Sequence, residues 1–491
     1  METSPGLDIA LKSASYLTAA LRAGELGALE LLDHQLARVE RLNPRLNAVV
    51  TLDADRARAE ARLADERSAR GDALGPLHGL PLTIKDAIET DGMRTTCGVP
   101  LLADHVPAAD AEVVARLRTA GAIVFGKTNT PAWTSDNQTF NAVFGATNNP
   151  WDLTRGPGGS SGGAAAAVAA GLTSLEVGSD IAGSLRNPAH YCGVYGHKSS
   201  WGVIPDRGHI PGPPGTLAPT DVGVLGPLAR SAGDLRLAMS VLAGPDAAHG
   251  VAWRFGFPPS RHQSLDQYRV AAWLDDPAAP VDGSVLDCLH AVIDALRSTG
   301  VSVDETARPA FSLQEMDDVA RTLVSGVFCS GPTDDEYAAL AKATANLSTD
   351  DNGPVANYLR DTTQSKRLWN TANERRWKIR SAWADFFCSF DVLLCPPAQT
   401  AAFPHDPRPN LLARRVLVNG EERPAAEALV WARFVGAAGL PSTVAPVGAT
   451  PEGLPVGVQI IGPYLEDLTT IDFASMLADG IGGYNPPPGY E

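Results

Sequence analysis

Residues 158–198 read GGSSGGAAAAVAAGLTSLEVGSDIAGSLRNPAHYCGVYGHK, and how this run is read decides the fold. Two adjacent serines, Ser160 and Ser161, sit among glycines that give way at once to alanines. Taken alone, GGSSGG fits a flexible connection. The next residues do not: 162–170 predict an alanine-rich helix, and LTSLEVG at 172–178 predicts a buried strand. A Gly/Ser linker carries no such ordered sequel. Working outward, GLPLTIKDAIET (79–90) predicts a strand around a single lysine, and AIVF (122–125), DVLLCPP (391–397) and VGVQIIGP (456–463) read as further core strands. Helices are expected over 8–23, 27–42 up to Pro44, and 53–71, and residues 270–390 are largely helical in pattern. Strands alternating with helices predict an α/β chain.

Composition narrows the function. The chain has 491 residues, 44% of them hydrophobic and 20% charged, enough apolar matter for a large core. Forty basic against 56 acidic residues give a net charge of −16, which argues against nucleic acid and anionic membranes as partners. METSPGLDIALKSAS at the start has no basic segment leading into an apolar one, and no apolar run approaches the ~20 residues needed to span a bilayer. A cytoplasmic protein is expected. Six scattered cysteines without a C-x-x-C pair suggest neither a disulfide framework nor a zinc site.

Two motif matches mislead. GAIVFGKT (121–128) fits the G-x-x-x-x-G-K-[ST] pattern of phosphate-binding loops. That loop needs a strand before its first glycine and a helix at its lysine, whereas here a helix precedes Gly121 and the strand lies between the glycines. Gly158, Ser160 and Gly162 fit the G-x-S-x-G nucleophile elbow, but NPWDLTRGP in front of them has no strand pattern. His190, His197, His209, His262, His290 and His405 lie downstream without a distinctive setting, and hydrogen-bonded structural roles are expected for them.

The extended run resembles the amidase signature family: a Gly-Gly-Ser-Ser-Gly-Gly loop, an alanine-rich helix, then Gly-x-Asp-x-Gly-Gly-Ser-[Ile/Leu]-Arg-x-Pro-Ala. GLPLTIKD (79–86), GKTNTPAW, FGATNNPWD, GLPSTVAP (439–446) and GLPVGVQIIGP (453–463) extend the likeness. It implies a single large α/β domain over 1–491, with a mixed, twisted sheet covered by helices on both faces. Core motifs span 79–463, N-terminal helices 8–69, and a substrate-shaping helical region 270–390. By position, the resemblance implies that Ser184 is the nucleophile, Ser160 a bridging serine after a cis peptide bond, and Lys85 the base. Ser161, Asp180 and Arg186 would support the triad, and the N–H groups of Ile181, Ala182, Gly183 and Ser184 would form the oxyanion hole. The implied partner is a small-molecule amide, with no metal or organic cofactor, and a homodimer is the assembly the resemblance suggests. The glutaminase subunit of a tRNA-dependent amidotransferase belongs to the same family and is the alternative; a phosphate-loop nucleotide-binding protein is the weaker one.

The residues themselves fit this chemistry. A serine hydroxyl needs a base to become a nucleophile, and a neutral lysine serves where no histidine is placed to do so. Free lysine titrates near about 10.4, so burial must lower it. Leu80, Leu82, Ile84, Ala87 and Ile88 offer apolar surroundings for Lys85, while Asp86, adjacent on the strand, is expected to face the other side. Ala182 stands where the family has glycine, and its methyl group is expected to narrow the site and to resist positive φ. His197-Lys198-Ser199-Ser200 departs from the usual Lys-Pro-Thr and is expected to alter loop stiffness. Trp133, Trp201 and Trp431 are candidate walls of an aromatic or long-acyl pocket, with core packing the alternative for each.

Overall fold

The apolar runs become strands of one mixed sheet. In chain order they are β1 (Val49–Leu52), β2 (Pro81–Lys85), β3 (Ile123–Thr128), β4 (Leu175–Asp180), β5 (Tyr195–Lys198), β6 (Val224–Ala229), β7 (Arg269–Ala272), β8 (Ser302–Asp304), β9 (Val392–Cys395), β10 (Ser442–Ala449) and β11 (Pro455–Ile461). The computed structural model describes residues 8–210, 214–329, 333–351, 353–408 and 410–491. It orders the strands β1-β3-β2-β4-β6-β5-β10-β11-β9-β7-β8, a single large α/β domain flanked by helices. β2 runs parallel to β3 and β4, and β7 parallel to β8 and β9. The other neighbours in the sheet are antiparallel. Thr83 is level with Glu176 and Ile84 with Val177, so β2 and β4 end on the same edge of the sheet.

The alanine-rich helix, Gly162–Ala169, is buried along its whole length. Side chains this small let a helix lie close against strands on every side. At the N-terminus, Ser13 accepts a hydrogen bond from Tyr16 N and caps the helix Ala14–Ala23, which Gly24 ends at φ 70°. The next helix runs through Pro44 to Leu46 rather than stopping before the proline. Pro44 sits in its last turn, where a missing N–H costs a single intrahelical bond, and the Asn43 side chain accepts from Ala48 N and Val49 N just beyond. Residues 270–390 are mainly helical, as expected, but β7 and β8 flank the first helix there and extend the sheet.

Two buried clusters join distant parts of the chain. Asp467, at the head of the helix Asp467–Ile481, accepts from Ser200 N and Ser200 Oγ (2.8 and 2.7 Å) and pairs with the His197 ring (3.0 Å). The unusual His-Lys-Ser-Ser segment therefore fastens β5 to the C-terminal helix. Trp383, fully buried, stacks on Phe387 and on Phe434. That stacking holds the helix Lys366–Ser389 against the helix Val430–Ala438. Among the described residues no helix is long and apolar enough to cross a membrane, and the six cysteines are unpaired.

Trp383→Ala would empty the space between these helices. We expect it to lower stability by about 3–5 kcal/mol, read as a drop in the urea midpoint of the unfolding transition.

Candidate active site

Three segments meet where β2 and β4 end. Lys85 is the last residue of β2, Asp180 the last of β4, and Ser160 and Ser161 immediately precede the buried helix Gly162–Ala169. The peptide bond between Gly159 and Ser160 is cis. Lys85 Nζ lies 2.7 Å from Ser160 Oγ, 2.9 Å from Ser179 Oγ and 3.0 Å from Ser161 Oγ. Ser161 Oγ–H donates to Ser179 O (3.2 Å), so its oxygen is left to accept from the lysine. A neutral amine has two N–H donors and one lone pair; with three hydroxyls around it, one can donate to the lysine.

Electrostatics favour that neutral amine. Burial pushes Lys85 down to about 7, against the opposing negative charge of Asp180. Burial also pushes Glu176 up to about 8, although Thr83 and Thr128 hydrogen-bond it, so this acid is held in its neutral form near neutral pH. Asp86, the first residue past the end of β2 rather than part of the strand, accepts from Thr96 N and Oγ1 and does not bond Lys85. Burial raises it to about 6.

The turn after β4 carries Ser184, which lies at the surface of the same cleft as Ser160. Asp180 organises this turn. Its carboxylate accepts from Gly183 N (2.9 Å), Leu185 N (3.0 Å) and the Arg186 guanidinium (2.7 and 3.0 Å). Burial works to raise the Asp180 pKa, but the Arg186 charge and hydrogen bonds outweigh it and hold the group at about 2. Arg186 also donates to Ala432 O (2.6 Å) and Gln459 Oε1 (2.8 Å). Gly183 is the residue at positive φ, 113°, and an added Cβ there would come within 2.7 Å of Ala432 Cβ. Ala182 lies outside the left-handed region, so the strain expected of its methyl group does not arise. Gly183 N is committed to Asp180.

Other expectations from the sequence fall differently. Trp431 is a core residue: it is fully buried, donates Nε1–H to Ala279 O (2.8 Å) and packs against Trp273 and Phe434. Trp133 packs on the small cluster of Ala87, Cys97 and Ile210, and Trp201 bonds Thr220 O (3.2 Å); neither is among the cleft-lining side chains. The lysine of the phosphate-loop match, Lys127, lies within β3, its Nζ donating to Ile88 O and to Thr90 Oγ1 (2.9 Å). No helix starts there to bind phosphate, and the nucleotide reading fails. The cleft includes Thr134, Ser179, His209, Thr220 and Phe328, and it is narrow, about 20 Å³. Sequence reasoning places none of these at a cleft. Glu176 carries a signal, a lone acid in an apolar strand; His209 carries none.

A buried lysine among serine hydroxyls is an arrangement in which a neutral amine can activate a hydroxyl. Residues 30–471 match the family model Amidase, and the chain belongs to that family, the amidase signature enzymes. It is 33% identical over 482 residues to the A subunit of the glutamyl-tRNA(Gln) amidotransferase of Prochlorococcus marinus (strain MIT 9313), covering 92% of this chain and 94% of the relative. A bacterial aryl acylamidase of the amidase signature family superposes with a TM-score of 0.81 at 25% identity, over 98% of this chain and 97% of that one. A chain of a vestigial protein complex tied to the origins of an s-triazine catabolic enzyme gives 0.80 at 26%, over 97% and 100%.

Gly178 offers a test of the packing around Lys85. Its φ is ordinary, but an added Cβ would lie 2.6 Å from Ser161 Oγ. Gly178→Ala should displace Ser161, cutting kcat/KM at least tenfold while costing only about 1–3 kcal/mol of stability, measured by turnover and by thermal unfolding.

Proposed function

We propose that the chain hydrolyses a small, neutral carboxylic amide to an acid and an amine or ammonia through an acyl-enzyme on Ser184. The observation that carries this reading is the fully buried Lys85, held near neutrality and in contact with Ser160, which shares a cleft with Ser184. Lys85 takes the proton of Ser160, which takes that of Ser184 as Ser184 Oγ attacks the amide carbon. The N–H groups of Ile181, Ala182 and Ser184 receive the oxyanion. Collapse breaks the carbon–nitrogen bond, and the leaving amine collects its proton through Ser160. Water then repeats the relay on the ester, with Ser184 as leaving group.

Charge supports the neutral substrate. Among the described residues lining the cleft there is no lysine or arginine, and the carboxylate of Asp180 is already paired with Arg186. A zwitterionic amino-acid amide would enter without a partner for its carboxylate, at a cost of several kcal/mol (~2–7 for a neutral polar group, more for an ion). The curated relatives favour a second reading, the glutaminase subunit of a tRNA-dependent amidotransferase, and on sequence likeness alone it is the better supported. In that role the released ammonia passes to an acylated tRNA on a partner subunit.

Ser184→Ala should abolish turnover and the acyl adduct seen by intact mass, Lys85→Ala should lower kcat by at least ~1,000-fold at neutral pH, and Ser160→Ala should leave a small residual rate. Because Lys85 is a base only when deprotonated, kcat/KM should rise with pH, level off above about 7, and fall about tenfold per pH unit well below it.

A panel of neutral amides set beside glutamine separates the two readings. Turnover of neutral amides by the isolated chain supports the first. Glutaminase activity that appears only with a co-purifying second chain, ATP and acylated tRNA establishes the second.

A further inference from the structure

One polar atom in the wall of the cleft has no hydrogen-bond partner among the described residues. His209 reaches the cleft from the loop after β5, and its backbone is pinned: His209 N donates to Asp206 O (3.0 Å) and Ile210 N to Ala87 O (2.7 Å), two residues beyond Lys85. Its ring shares the cleft with Ser160, Ser184 and Thr134. Its Nε2 is buried and has no hydrogen-bond partner among the described residues. The buried histidines His190 and His197 are not so placed. His190 bonds Thr400 O and Gly457 N, and His197 bonds Thr443 and Asp467. Buried polar atoms nearly always find partners, and one left bare on a pocket wall beside the reacting groups is placed to be satisfied by what binds there.

We propose that His209 is a specificity-determining residue whose Nε2 hydrogen-bonds a second polar group of the substrate, close to the scissile amide. The substrate class is then a neutral amide bearing a further carbonyl, hydroxyl or carboxamide within a few bonds of the reacting carbon, rather than a plain alkanamide. Burial, with Lys85 adding to it, holds the imidazole neutral by lowering its pKa to about 3. A neutral ring offers one donor and one acceptor and no charge, in keeping with an uncharged ligand. The inference rests on the amidase reading above and sharpens it.

The test measures kcat/KM of the wild type, His209→Leu, His209→Gln and His209→Asn on butyramide and on malonamide and lactamide. The wild type is expected to favour the two polar amides. His209→Leu should lose about 10- to 100-fold on them and less than threefold on butyramide. His209→Gln, whose carboxamide reaches the Nε2 position, should recover part of the loss, and His209→Asn, which is too short, should not. An equal loss on both kinds of amide, or a preference that survives in His209→Leu, overturns the proposal. Ser184 labelling by phenylmethanesulfonyl fluoride, read by intact mass, keeps the two levels apart. A labelled wild type without the polar preference overturns only the role of His209, whereas a wild type that cannot be labelled at Ser184 overturns the amidase reading beneath it.

Discussion

A lysine amine sealed from water against three serine hydroxyls is the constraint on which this structure turns. An ammonium ion in that position lacks solvation that hydroxyls alone do not replace, and the surroundings are arranged so that the charge need not form. Glu176 is held protonated by its own burial, and Asp86 is drawn off by Thr96. Gly178 omits the side chain that would push Ser161 away. Each of these residues is explained by the need to keep Lys85 close to its hydroxyls and far from an anion that would fix its proton. The carboxylate of Asp180 is neutralised by Arg186.

The Asp180–Arg186 pair explains why a motif of some forty residues needs so long a chain. Arg186 reaches Ala432 O on the helix Val430–Ala438 and Gln459 on β11. Gln459 in turn donates to Trp431 O (2.8 Å) and accepts from Ser442 Oγ (3.2 Å). The turn that carries Ser184 is thus clamped by residues some 250 positions later in the chain. Trp431 belongs to that clamp and to the packing behind it, so its indole faces the core rather than a ligand.

The sequence announces the parts of the site that are local. Lys85, the Ser160–Ser161 loop and the Asp180–Arg186 turn each lie on a short segment whose residue order betrays its conformation, and the strands bearing them read as apolar runs. The helix capped by Ser13 and ended by Gly24 is equally legible. The hidden parts depend on which segments the fold brings together. β5, β6 and β10 are not separable from their surroundings by periodicity. Nothing about Phe328 or Thr134 shows, before folding, that they border the same cleft as Ser184. The tryptophans fail as pocket markers because nearness in sequence to a motif says little about the direction of a side chain. The expected resistance of Ala182 fails because Gly183, one residue on, takes the positive φ.

Partner chemistry separates Lys85 from the other buried lysines. Lys127, on the neighbouring strand, is lowered to about 8 and Lys198 to about 7, each chiefly by burial, so burial alone does not single out a base. Lys198 donates to the carbonyl oxygens of Ser199 and Leu440, and Lys127 to that of Ile88. A carbonyl can only accept, so it has no proton to pass to a neutral amine. A hydroxyl both accepts and donates. Lys85, ringed by hydroxyls, can lose a proton and then accept a hydrogen bond from one of them, while Ser161, whose own hydroxyl proton goes to Ser179 O, goes on accepting. Exchange with a hydroxyl is what a proton relay requires, and Lys85 faces three serine hydroxyls where Lys127 meets that of Thr90 and Lys198 meets two carbonyls.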